Sequence, residues 1–154
     1  MQIRFAQEAD LAQIAEIFAQ LHAVHTEIRP DIYKNPGADY FRNESEKMLA
    51  DENQKLFVAE ADGVIAGYVA LWVYDRESEI HVSRKLCKVE HLAVRTGMRR
   101  TGVGRRIMEF VAHYAAECNC RAIELGVWAE NFDAVNYYAA CGFASRIITL
   151  EKIL

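Results

Sequence analysis

The run Arg99-Arg100-Thr101-Gly102-Val103-Gly104-Arg105 sets glycines among arginines at a junction between two kinds of apolar patterning. Before it, Lys88-Val89-Glu90-His91-Leu92-Ala93-Val94 is rich in β-branched and aliphatic residues and predicts a strand; after it, Ile107, Met108, Val111 and Ala115 recur at helical spacing. Glycines at such a turn omit Cβ atoms where a ligand must approach the backbone, and the amides of a first helical turn have no partner of their own. Those amides point along the helix dipole toward an anion, and a pyrophosphate would fit there. Arg99, Arg100 and Arg105 surround the loop and can reach phosphate oxygens. The run lacks the full G-x-G-x-x-G of a dinucleotide fold, and Arg105 stands where a Walker loop has its lysine, so neither nucleotide-binding class fits.

Other candidate groups are weaker. Asn131 is a helix N-cap with Asp133 in the first turn to complement the dipole, and Gly142 is a left-handed stop after that helix. His22 and His25 could chelate a metal by spacing, but no third ligand is evident, so they are expected to wall a pocket and no metal is expected. Cys87, Cys118, Cys120 and Cys141 lack zinc spacing and the density of a disulfide scaffold, and read as free thiols.

The elements that position these groups follow from periodicity. Strands are expected at Ile3–Phe5, Leu56–Ala59, Val64–Tyr74, Leu86–Val94, Ala122–Val127 and Phe143 to about Lys152. Helices are expected over Asp10–Ala23, Tyr40–Leu49, Val103–Cys118 and Asn131–Ala140, with a hairpin turn at Glu60-Ala61-Asp62-Gly63. No repeat or linker divides the 154 residues, so one α/β domain is the simplest architecture. A composition of 52% hydrophobic and 26% charged residues suits a globular chain, and no apolar run approaches the ~20 residues of a membrane span. Arg4, Glu8, Asp10 and Glu16 interrupt the region where a signal peptide needs an apolar core, so a cytoplasmic location is expected. The net charge of −4 argues against a general nucleic-acid surface. The apolar stretch Arg146-Ile147-Ile148-Thr149-Leu150 would be a pairing edge for a homodimer.

Taken together, these motifs resemble the GCN5-related N-acetyltransferase (GNAT) superfamily. Arg99-x-x-Gly102-x-Gly104 matches its R/Q-x-x-G-x-G/A pyrophosphate loop, and Asn131-x-x-Ala134-x-x-x-Tyr138-x-x-x-Gly142-Phe143 matches its N-x-x-A-x-x-x-Y-x-x-x-G-F pattern. The strand Val89-Glu90-His91-Leu92-Ala93-Val94 looks like its glutamate-bearing version in polyamine and aminoglycoside acetyltransferases. The resemblance implies a single mixed, mostly antiparallel sheet of six or seven strands, splayed by a bulge between the fourth and fifth, with about four helices on its two faces. It implies acetyl-CoA as co-substrate, bound by residues 86–143, with residues 1–75 forming the acceptor side. Leu92, Ala93 and Val94 would pair with the pantetheine arm, Arg99 to Arg105 with the pyrophosphate, and Asn131 with either the arm or its own helix. Tyr138 would be the general acid for the CoA thiolate, with Tyr137 its rival, and Glu90 either the general base or a binding group for a cationic amine. His22, His25, Glu27 and Tyr33 fall where relatives cover the acceptor. The expected reaction is direct attack of a primary amine, of a small molecule or peptide, in a ternary complex. The alternative is a non-catalytic acyl-CoA-binding sensor.

Overall fold

The computed structural model describes residues 1–37 and 39–154. Its elements run β1 (Gln2–Phe5), α1 (Leu11–Ile28), α2 (Tyr40–Ala50), β2 (Gln54–Ala61), β3 (Val64–Arg76), β4 (Arg84–Val94), α3 (Val103–Glu117), β5 (Ala122–Leu125) and α4 (Phe132–Ala140). The strands form one sheet in the order β1-β2-β3-β4-β5, antiparallel except for the parallel β4–β5 pair.

Strand periodicity sorts the core onto two faces. Phe57, Ala59, Val69, Leu71, Cys87 and Val89 turn toward α3 and meet Val103, Ile107, Met108, Val111 and Ala115. The alternate residues Leu56, Val58, Tyr68 and Ala70 turn the other way and meet Ile14 and Ile17 of α1 and Met48 of α2. Asp62 and Gly63 sit at φ 52° and 77°, the positive values that a tight two-residue hairpin requires, so the expected turn contracts to this pair and β2 runs on through Ala61.

Two expectations need correction. Helix α1 continues to Ile28, which puts His25 and Glu27 on the helix, and Thr26 Oγ1 bonds the carbonyl of His22 one turn back. More consequentially, the sheet has five strands instead of six or seven, because residues 143–154 join no ladder among the described residues. Apolar residues there fall at 143, 144, 147, 148, 150, 153 and 154, which is not strict alternation, and no described strand pairs with them. The segment is held by side chains: Arg146 Nη2 lies 2.7 Å from Glu124, and Glu151 lies 2.7 Å from Arg29 Nη2.

Candidate active site

The sheet opens beside the glycine loop. Leu86–Val89 pair with Ala122–Leu125, after which β5 ends at Leu125, two residues earlier than expected, while β4 continues to Val94. Leu92, Ala93 and Val94 therefore border a gap with no β5 partner, the splay expected between the fourth and fifth strands. The β3 side of β4 is also irregular: Ala70 faces His91 and Leu71 faces Val89, leaving Glu90 as the extra residue of a bulge. A third device lies opposite, where a Cβ on Gly67 would come within 2.6 Å of the Ala93 carbonyl. Glycine at that position lets β3 approach the end of β4, a function that no sequence motif marks.

At the loop, Gly102 is the N-cap of α3 with φ 90°, and no side chain caps the helix. The first amide to turn back into the helix is that of Arg106, onto Gly102 O, which leaves the preceding N–H groups for a ligand. The two glycines do different work. A Cβ at Gly102 would meet nothing but would be strained by the left-handed backbone, whereas one at Gly104 would lie 3.3 Å from the Tyr137 hydroxyl. That hydroxyl is buried without a hydrogen-bond partner and sits against the first turn of α3, as an orphaned donor awaiting a polar ligand group would. Thr101 Oγ1 donates to Met98 O, and Arg99 Nε donates to Val94 O. Arg105 pairs with Glu109 along the helix at 3.0 Å, and Arg100, at φ 62°, lies 3.8 Å from Asp133 of α4. Asn131 Oδ1 accepts from the Ala134 amide, so the N-cap expectation holds.

Tyr138 packs beside Tyr137 and Phe143, and burial pushes its phenol up to about 12, which keeps it protonated and able to donate. Burial also raises the Cys87 thiol to about 12, removing it as a nucleophile at neutral pH.

The root of the loop is stitched to α1. Arg95 donates from Nε to Ile65 O and reaches Glu16 at 3.0 Å and Gln13 at 3.2 Å. The Thr96 amide and hydroxyl both donate to Gln20 Oε1. Nothing near Arg95 or Thr96 marks them in the sequence, because these partners lie between 30 and 82 residues away.

Across the sheet, a cleft of about 450 Å³ is lined by Phe18, Tyr40, Glu44, Lys47, Asp51, Trp72, Lys88, Glu90 and His91, among others. The bulge delivers Glu90 and His91 to it together. Glu90 pairs with Lys88 at 2.5 Å and Glu44 with Lys47 at 2.6 Å, leaving Asp51 as the excess negative charge of the lining. His91 lies against Phe18, ring centroids 4.7 Å apart, with Nδ1 3.3 Å from the buried Tyr68 hydroxyl. Burial lowers its pKa despite Glu90 and Glu44, so it is neutral near pH 7.

An aromatic wall continues from Phe18 through Phe41 and His22 to Tyr33, whose hydroxyl accepts from Trp128 Nε1 at 3.1 Å. His22 Nε2 is 2.9 Å from Lys34 O, and His25, its pKa lowered by burial and by His22, packs on Tyr33. The structure thus gathers His22, His25 and Tyr33 into one wall. None of the three, nor the exposed Glu27, is among the described residues that line the cleft; the wall meets the cleft through Phe18. Phe18 and Trp72 line the cleft, and Phe41 and Trp128 extend the wall, without any local signal, since each reads as ordinary core. Among the described residues no group of three or more His, Cys, Asp or Glu side chains converges on a metal site, and no helix is long and apolar enough to cross a membrane.

The fold that carries these features has known counterparts. The family model described as "Acetyltransferase (GNAT) family" matches residues 18–143, and the chain belongs to that family. An uncharacterised N-acetyltransferase of Archaeoglobus fulgidus is 28% identical over 143 residues, covering 91% of this chain and 90% of its own. Another, from the pepI 3′ region of Lactobacillus delbrueckii subsp. lactis, is 30% identical over 105 residues; the match covers 66% of this chain and 60% of that protein. Among solved structures, a tetramutant of the BH1408 protein from Bacillus halodurans superposes with a TM-score of 0.94 at 25% identity over the full length of both chains. An aminoglycoside N-acetyltransferase in complex with CoA superposes with a TM-score of 0.70 at 20% identity, covering 99% of this chain and 100% of its own, which is a likeness of fold.

Proposed function

We propose that this protein is an acetyl-CoA-dependent N-acetyltransferase that acetylates a primary amine, of a small molecule or peptide, by direct attack in a ternary complex. The observation that carries the reading is the β4–β5 gap leading to the uncapped start of α3, with the unpartnered Tyr137 hydroxyl beside it. Acetyl-CoA supplies an activated thioester when bound. The amides of Val103, Gly104 and Arg105 hold the pyrophosphate, with Arg99 and Arg100 at the rim, and the outward backbone groups of Leu92, Ala93 and Val94 line the arm. A backbone N–H of β4 polarises the acyl carbonyl.

The chain's own groups then manage the protons. Glu90, brought to the cleft by the bulge, takes the proton lost by the incoming ammonium, directly or through a water. Tyr138 supplies a proton to the departing sulfur, a role suited to a phenol that stays protonated through the working range. The negative excess and the aromatic wall favour a cationic acceptor with an apolar body.

Thermal unfolding with acetyl-CoA, against ATP and NAD, tests the cofactor half. At ~100 times its Kd a ligand adds ~2.7 kcal/mol, and the selective rise is expected with acetyl-CoA alone. Amine-dependent release of CoA then tests catalysis, and stabilisation without release for any amine would mark the sensor instead.

A further inference from the structure

We propose that the acceptor is a free amino acid in its zwitterionic form: Glu90 takes its ammonium, and Lys88 reads the carboxylate a few bonds away on the same molecule. The inference rests on the acetyltransferase reading of this cleft and narrows it, since it selects an amino acid over a peptide or a plain amine.

The carboxylate assigned to the incoming ammonium already has a partner. Lys88 Nζ lies 2.5 Å from Glu90 Oε2, and both residues line the cleft. Their side chains are 44% and 39% exposed, so a ligand can reach both ends of the pair. Among the described residues Lys88 makes no second ion pair. Its Cα partner on β5 is Glu124, on the same face of the sheet, but that carboxylate is saturated. Glu124 Oε1 accepts from the Tyr74 hydroxyl and from Arg76, and Oε2 accepts from Arg146. Lys88, Arg76 and Arg146 thus stand against Glu90 and Glu124, and these five side chains carry a net charge of +1. The negative surplus of the lining sits elsewhere, on Asp51 just past the end of α2, where Oδ1 accepts from the Asn53 amide.

A plain amine suits this arrangement poorly. Its ammonium either displaces Lys88 from Glu90 or shares the carboxylate with it, and in both cases two cations meet around one anion. Once Glu90 has taken the proton, Lys88 is left without its counter-ion. An amino acid brings the missing anion. Its ammonium meets Glu90 and its carboxylate meets Lys88, so one contact pair becomes two and the charges alternate around the set. The resident pair also sets the spacing: charges in direct contact are replaced only by a ligand whose own charges lie close together. An α-amino acid satisfies this, whereas the two ends of a peptide do not. Phe18, Tyr40 and Trp72 supply an apolar lining for the side chain.

The test is CoA release by the purified full chain with a panel of free amino acids, apolar and polar, each beside its C-terminal amide, and with phenethylamine. The amide has the less basic amine and more of it neutral near pH ~8, so chemistry alone favours the amide. The expected result is the reverse: at least one free amino acid is used with kcat/KM roughly tenfold or more above that of its amide. Lys88→Met, which keeps the stem and removes the charge, is expected to erase that preference, and Lys88→Arg to keep part of it. The acetyl-CoA thermal shift of each variant reports that the donor half is intact, and Lys88→Gln takes the place of Lys88→Met if the latter does not fold. Amides used as well as the acids overturn the proposal and leave the acetyltransferase reading standing. So does a preference that Lys88→Met leaves intact, which would make Lys88 a positioning residue for Glu90 alone. Stabilisation by acetyl-CoA with no CoA release from any acceptor overturns the acetyltransferase reading, and the proposal with it.

Discussion

On the α3 face of the sheet the site is made of backbone: a left-handed glycine, a row of free amides and a strand end from which the next strand has turned away. On the α1 and α2 face it is made of side chains, with Phe18, Phe41, His22, Tyr33, Trp72, Trp128 and His91 brought together from two helices, two strands and the loops between elements. On the proposed reading, backbone geometry recognises what acetyl donors share. Side-chain chemistry can be exchanged residue by residue while the sheet stays intact, so it suits the partner that differs among related enzymes. The bulge at Glu90 is where the two faces meet, because one extra residue both distorts β4 beside its gap and turns a carboxylate into the acceptor cleft.

The sharpest way to separate the faces is to remove a proton donor without touching binding. Tyr138→Phe is expected to lower kcat by roughly 10²–10³-fold, with the acetyl-CoA thermal shift unchanged. An unaltered kcat would return Tyr138 to a packing role. Gly67→Ala addresses the shared hinge of the two faces: its Cβ would meet the backbone oxygen of Ala93, so a loss of about 2 kcal/mol in denaturant unfolding is expected. Loss of Asn131's cap acts on α4 alone, and Asn131→Ala should cost about 1 kcal/mol and leave amine KM unchanged.

The smallest effect belongs to the acceptor face. His91 and His25 have pKa values lowered by burial, so the folded state binds fewer protons than the unfolded state below about pH 6.5. Their contribution is complete above that pH and is lost as the pH falls toward their folded values. His91→Gln should flatten the decline in stability between neutral pH and pH 5, and a slope identical to the parent's would show that His91 is not one of its sources.

Legibility in the sequence follows the same division. The loop, the Asn131 cap, the strand with Glu90 and the stop at Gly142 could be read because each depends on residues a few positions apart and on glycine's freedom of φ. The acceptor wall could be read only in part. His22, His25 and Tyr33 were reachable by position, but nothing near Trp72 or Trp128 distinguishes a cleft aromatic from a core one, and Gly67 serves a contact 26 positions away, with Ala93. The strand expected at the C-terminus failed for a related reason: apolar pattern describes what a segment could pair with, and the partner strand must come from elsewhere.

Gln20, Gln13 and Glu16 of α1 grip Thr96 and Arg95 at the foot of the glycine loop. On the proposed reading this grip links the two ligands: a donor that orders the loop would also order the helix beside the amine, so that the second to arrive would meet a segment already ordered. Thermodynamics then requires the favour to be mutual: a donor that tightens amine binding by some factor is itself tightened by the amine by that same factor, whichever enters first.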